Sequence, residues 1–263
     1  MHPMLNIAIR ATRKAGNFIA KCYETPSYNE ENNEFVSFVQ QQAAQRIIET
    51  IHQSYPTHIV TTKYDDAIPE KESDMKWIVD PINGINNFLK RLPHFSISVA
   101  LRVKGRTEIA IIYDPIRNEL FTTTRGHGAQ LNGYRLRMNN KTKDLTGSTI
   151  STLLSIEQKK HAPHELSQLI MLLINKKMNF HCSGSSALDF AYVAAGRLDS
   201  FFAIAIKKQD FWGGEMLVSE AGGLVTDLSG GHDHEISENI IAAHPMMIEA
   251  LLKAIGEIKM DKE

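Results

Sequence analysis

The chain has 263 residues, 43% of them apolar and 22% charged, with 29 basic against 30 acidic side chains and a net charge of −1. At ~150 residues per domain, that length and balance suit a soluble globule of one large domain or two intimate halves. They exclude disorder, collagen-like repeats and coiled coil as the main state, and a protein that holds nucleic acid by bulk charge.

Cys22 and Cys182 are too few for a disulfide framework. Met1-His2-Pro3-Met4 leads straight into an amphipathic run without a signal segment, and no apolar stretch reaches the ~20 residues that span a bilayer. A cytoplasmic protein with reduced thiols and no membrane partner is expected.

Leu5, Ala8, Ala11, Ala15 and Ile19 recur at helical spacing, as do Val36, Val39, Ala43, Ile47 and Ile51. Tyr28–Asn33 between them reads as a polar loop. The period then changes to two: Phe95, Ile97, Val99, Leu101 and Val103 alternate with smaller or polar residues, which predicts a strand with one buried face. Lys104-Gly105 is a turn into further strands over Thr107–Tyr113 and Glu119–Thr123, an antiparallel meander followed by turns at 126–128 and Asn132-Gly133. Beyond residue 145 strand and helix alternate. Strands are expected over Ser148–Thr152, Asp199–Ile206 and Ile236–Ala243. Helices are expected over Glu165–Ile174, Ser185–Ala195, Glu215–Ala221 and from Pro245 to about Ile258. The economical architecture is an α+β half (1–145) and an α/β half (146–263) that form one unit.

Three segments stand out: Trp77-Ile78-Val79-Asp80-Pro81-Ile82-Asn83-Gly84-Ile85; Gly184-Ser185-Ser186-Ala187-Leu188-Asp189 with Ala191–Asp199; and Asp210-Phe211-Trp212-Gly213-Gly214-Glu215 with Glu220-Ala221-Gly222-Gly223. Their order and spacing resemble the inositol monophosphatase family. The resemblance implies a layered α-β-α-β-α sandwich and Mg²⁺-dependent hydrolysis of a phosphate monoester. That chemistry needs several carboxylates around two or three metal ions, which polarise the phosphate and activate water.

By the same resemblance, Asp80, the carbonyl of Ile82 and Asp210 are the surviving metal positions, and Asn83 occupies a degraded one. Thr62 and Lys63 stand where the family carries its acidic pair, and Ile85 where it carries a water-orienting Thr. Gln40 and Ala203 replace two further acids, Glu30 a Lys, and Gln209 a Trp. Gly84, Gly184, Ser185 and Ser186 are the candidate substrate or anion contacts, the last three at a helix N-terminus. A Lys63 ammonium ~5 Å from Mg²⁺ would be repelled by at most roughly 6–7 kcal/mol at an effective dielectric of ~20. Loss of the water-activating Glu removes a further ~10²–10⁴-fold. The expectation is a weak or lost Mg²⁺ site, little or no phosphatase activity, and an intact scaffold.

The sequences around residues 1–8 and 90–95 are similar to a bacterial branch of the family, the Nus-factor type. That likeness implies a homodimer in the antitermination complex of ribosomal RNA transcription, with RNA polymerase, NusA and other Nus factors, ribosomal proteins and leader RNA as partners. The competing function is a Mg²⁺-dependent inositol-1-phosphate phosphatase. Lys90-Arg91, Arg135 with Arg137, and Lys141 with Lys143 are local basic pairs, each read as a solvated face. Ala191–Gly196 and Gly213-Gly214 are read as close helix packing, His232–Glu235 as a solvated loop, and His94 as a strand cap. Cys182 beside His181 fits no cysteine-hydrolase pattern. Leu153–His164 reads as a shortened flap.

Overall fold

The computed structural model describes residues 2–25, 33–62, 75–138, 144–154 and 163–260. The order of elements is α1 (Pro3–Glu24), α2 (Asn33–His52), β1 (Ile59–Thr62), β2 (Met75–Asn83), α3 (Ile85–Leu89), β3 (Ser96–Val103), β4 (Arg106–Asp114), β5 (Glu119–Thr124), β6 (Ala129–Leu131), β7 (Tyr134–Arg135) and β8 (Thr149–Thr152). Then follow α4 (Pro163–Asn175), β9 (Asn179–His181), α5 (Ser186–Ala194), β10 (Ser200–Ala203), α6 (Lys208–Glu220), β11 (Leu224–Thr226), α7 (His234–Ser237), β12 (Ile240–Ala243) and α8 (Pro245–Met260).

Strands β1 to β7 form one sheet in sequential order, antiparallel except for the β1–β2 pair. The second sheet runs β11-β12-β10-β8-β9. Five layers result, as the resemblance implied. The predicted apolar stripes of α1 and α2 are buried against one face of the first sheet, with Trp77, Val79, Ile97 and Ile111. Its other face packs on α5 and α6 in a core that joins Ile78, Ile112 and Phe121 to Phe190, Phe201 and Phe211. Helices α4 and α8 cover the outer face of the second sheet.

The meander and its turns lie where predicted, with Lys104, Gly105, Asn132 and Gly133 all at positive φ. Strand β3 departs from the expectation of one buried face. Ser96 and Ala100 are buried as well, because α6 packs on that side. A Cβ on Gly213 would lie 3.2 Å from Ser98 Oγ and 4.0 Å from Ala100 Cβ. The alternation separated large from small side chains rather than buried from wet ones.

Helix α6 starts seven residues before the predicted Glu215, and Gly213-Gly214 lie inside it. A Cβ on Gly214 would come within 2.3 Å of the Phe190 ring, so contact between helices outweighs the low helix propensity of glycine. Gly222, at φ +94, ends the helix as expected.

Strand β10 stops at Ala203 because Ala205 turns left-handed and gives its N–H to Asn239 Oδ1 at 3.2 Å. Strand β12 begins only at Ile240. His234–Ser237 form a one-turn helix, and Ile236, which suggested strand, is 83% exposed. Residues 28–32 of the predicted polar loop, 155–162 of the flap, and Glu30, Lys63, Lys141 and Lys143 lie outside the described residues. Asn33, the last residue of that loop, opens α2. No helix among the described residues is long and apolar enough to cross a membrane.

Candidate functional site

The site is built where β2 ends. Its pairing with β3 slips between Asp80, opposite Ser98, and Asn83, opposite Ser96. Pro81 sits in that bulge, where its missing N–H costs the ladder nothing. Beside it, Thr62 pairs with Val79, so the end of β1 reaches the same sheet rim. Gly84 follows at φ +99, and its α-carbon face lies against His94 O and Phe95; both requirements select glycine. Ile85 then opens α3.

Asp80 and Asn83 are 4% and 5% exposed. Asn83 Nδ2 donates to Asp80 Oδ2 at 2.9 Å and to Ser186 Oγ at 3.3 Å. Asn83 Oδ1 accepts from Ser185 Oγ at 2.8 Å and from the backbone N–H of Ala187 at 3.0 Å. The amide can face only this way. The Ala187 N–H is purely a donor and a carboxylate purely an acceptor, so oxygen must point to α5 and nitrogen to Asp80. Ser185 and Ser186 are thus assembled around Asn83. The Ser185 hydroxyl and the first-turn amide of Ala187 already hold an amide oxygen where a helix N-terminus would receive an anion.

A second asparagine makes a parallel link. Asn87, on α3, donates through Nδ2 to His94 O at 2.6 Å and to Ser183 O at 2.7 Å. Gly184 fits over it at φ +80, where a Cβ would lie 3.1 Å from Asn87 Nδ2. Gly184 thus has a packing reason to be a glycine at the turn before α5. Asn87 was not singled out from sequence; its place one helical turn after Asn83 is the signal that could have found it.

Asp189, fully buried in α5, accepts from Ser151 Oγ at 2.8 Å. Burial pushes its carboxyl up to about 7, partly offset by the hydroxyls of Ser183 and Ser151. The cue in sequence was one acid in the apolar run Ala187–Val193. His94 lies just before β3, and its ring is 5.8 Å from the Tyr192 ring and 6.2 Å from that of His181. Burial, with Arg117 nearby, lowers its pKa to about 4, so it is neutral at physiological pH. Burial, reinforced by Asp189, raises the Cys182 thiol, which opposes thiolate formation.

Of the other expected positions, Asp210 lies half-buried in the first turn of α6, with Gln209 before it. Ile82 and Ala203 are buried, and Gln40 lies on α2. Among the described residues no three His, Cys, Asp or Glu side chains gather to hold a metal ion. The Asp80–Asn83 pair itself does not suit a shared Mg²⁺. A hard cation needs oxygens turned toward it, whereas Asn83 turns its NH₂ to Asp80 and spends its oxygen on α5.

A second polar cluster, missed from sequence, lies where α6 meets α7. His234 is buried, and its Nε2 lies 2.9 Å from Glu215 Oε1. Trp212 Nε1 donates to Glu235 at 2.6 Å, and the Arg102 guanidinium lies 3.7 Å above the Trp212 ring. The hydrogen bond that His234 donates to Glu215 raises the His234 pKa, outweighing burial. The solvated-loop reading holds for the exposed His232 and Asp233 and is overturned at His234 and Glu235: α6 needs polar partners for Trp212 and Glu215, and α7 supplies them. Of the basic pairs, Arg91 is held by Tyr23 O and Thr25 O, while Arg135 and Arg137 are exposed.

The sequence pattern of the inositol monophosphatase family matches residues 1–260. The chain belongs to that family. It is 50% identical over 256 residues to Nus factor SuhB of Escherichia coli K12, covering 96% of this chain and 95% of the relative. It is 46% identical to Nus factor SuhB of Pasteurella multocida, covering 100% and 99%. Among solved structures it is similar to the extragenic suppressor protein suhB of Bartonella henselae, at 31% identity and TM-score 0.85 over 97% of this chain and 98% of the other. It is also similar to the Thermotoga maritima IMPase, at 29% identity and TM-score 0.83 over 98% of each chain. Both the family and the Nus-factor branch inferred from sequence agree with these likenesses.

Proposed function

We propose that this protein is a Nus-type factor of ribosomal RNA transcription antitermination, built on an inositol monophosphatase scaffold with little or no catalysis. It acts in the cytoplasm as a homodimer, and its partners are RNA polymerase, NusA and other Nus factors, ribosomal proteins and leader RNA. The near-full-length likeness to Nus factor SuhB proteins supports the role. The observation that carries the loss of catalysis is Asn83, whose amide engages Asp80 and the N-terminus of α5. Thr62 at the end of β1 in place of an acid, and Ile85 in place of a hydroxyl, support the same reading. Asp80, the Ile82 carbonyl and Asp210 remain as remnants of a weak Mg²⁺ site.

The test has two arms. Tagged protein should retain RNA polymerase and NusA from a bacterial extract; failure to retain either overturns the transcriptional role. Purified protein with Mg²⁺ should release no phosphate from inositol 1-phosphate, while the Thr62→Glu, Lys63→Glu, Asn83→Asp triple variant recovers some release. Robust turnover by the native chain would establish the phosphatase instead.

A further inference from the structure

We infer that a cleft between the start of α1 and the first sheet binds the phosphate group of a small molecule. The cleft, of about 570 Å³, is lined by His2 and Leu5, by Thr122, Thr124 and Gln130, and by His127 in the turn between β5 and β6. That volume is in the range of small-molecule sites. Thr122 pairs with Ile111, which belongs to the core under α1 and α2, so the two side chains share that face. Asp80 pairs with Ser98, whose Oγ lies against Gly213 of α6. The cleft and the Asp80 region are therefore on opposite faces of the sheet, and the inference stands apart from the proposed function.

Three observations converge on an anion. Thr122 is 5% exposed and lines the cleft, yet its hydroxyl hydrogen-bonds to nothing among the described residues. A buried hydroxyl without a partner is unfavourable, and a ligand oxygen would supply the bond. Next, α1 opens without a cap: the His2 side chain makes no capping bond, Pro3 has no N–H, and no acid stands in the first turn. Asn6 N is the first amide with a helical acceptor, His2 O, which leaves the Met4 and Leu5 amides free at the positive end of a 22-residue helix. Finally, Gln130 pairs with Thr122 and Arg135 with Gln130, so hydroxyl, amide and guanidinium form one row across β5, β6 and β7. The Arg135 guanidinium lies against Gly128 in the cleft wall. No acidic side chain lines the cleft; Glu220, which accepts from the Gly126 and Gly128 amides, lines a separate cavity beside α6. A tetrahedral oxyanion accepts from more directions than a planar carboxylate, which suits this spread of donors. The space left beside Leu5 and Thr124 takes an organic body.

Titration of the full chain with inorganic phosphate in EDTA, at constant ionic strength, tests it in amide ¹H–¹⁵N spectra. Phosphate should shift the amides of Met4, Leu5, Thr122 and Gln130 saturably. Thr122→Val, which keeps the shape and removes the hydroxyl, should weaken binding about fivefold, and Arg135→Gln about threefold. Arg135 is exposed, so its variant decides the matter if Thr122→Val disturbs the strand. Glycerol 3-phosphate should bind at least as tightly as phosphate. Four results overturn the inference: no saturable shift at the cleft, shifts confined to the Asp80 region, unchanged affinity in both variants, or an ester that does not bind where the free ion does.

Discussion

Two buried polar joints anchor the middle helices, and they are built from different chemistry. The Asn83–Asn87 joint ties β2 and α3 to the start of α5 with amides, hydroxyls and backbone groups. The His234 joint ties α6 to α7 and β3 with an imidazole, two glutamates, an indole and a guanidinium. Neutral partners hold the same strength at any pH the fold survives. Ionisable partners change strength as they gain or lose protons. Apart from the Asp80 carboxylate that Asn83 Nδ2 touches, the bonds of the first joint run between neutral groups, and the joint built from ionisable ones lies away from it.

The largest effect should come from breaking what both joints lean on, the contact between α5 and α6. Gly214→Leu would drive a side chain into Phe190 and should cost about 4 kcal/mol in urea denaturation, or leave the chain insoluble. Asn83→Ala strips the joint of its centre, leaving the Ala187 amide without its acceptor and the Ser185 hydroxyl with only the backbone oxygen of residue 83. It should cost about 3 kcal/mol by the same measurement.

Asp189 is a titratable group beside the first joint whose ionisation stability should report. Its carboxyl titrates near 7 when folded and near 4 when unfolded, so native stability falls as pH rises between those values. Asp189→Asn should therefore gain about 2 kcal/mol on the native protein between pH 5 and pH 8, read from paired denaturation curves. A constant difference across that range would place the carboxyl's ionisation elsewhere.

The smallest effect sharpens the contrast. The His234 pKa is raised in the folded state, so its ionic contribution is present below the unfolded value of ~6.5 and lost as pH rises through the folded value. His234→Gln should cost about 1 kcal/mol at pH 5.5 and progressively less above neutral pH, by melting across a pH series.

Local patterning in the sequence determined a great deal. The apolar stripes of α1 and α2, the period-two meander, the turn residues Lys104-Gly105 and Asn132-Gly133, and the glycine stop at Gly222 are all written in neighbouring residues. The reading of Thr62, Asn83 and Ile85 as altered positions rests on the resemblance alone, Asn83 and Ile85 inside the Trp77–Ile85 motif and Thr62 by the strand before it. Tertiary structure decided the rest. Whether Gly213-Gly214 break a helix or lie within it depends on Phe190 and Ser98, both far along the chain. The fate of His234 rests on Glu215, 19 residues away, and that of Asn83 on Ser185 and Ala187, more than 100 residues away. A hydrogen bond needs both its partners in place, and the sequence names only one of them at a time. The motif singled Asn83 out; that its amide ties β2 to α5 required the fold.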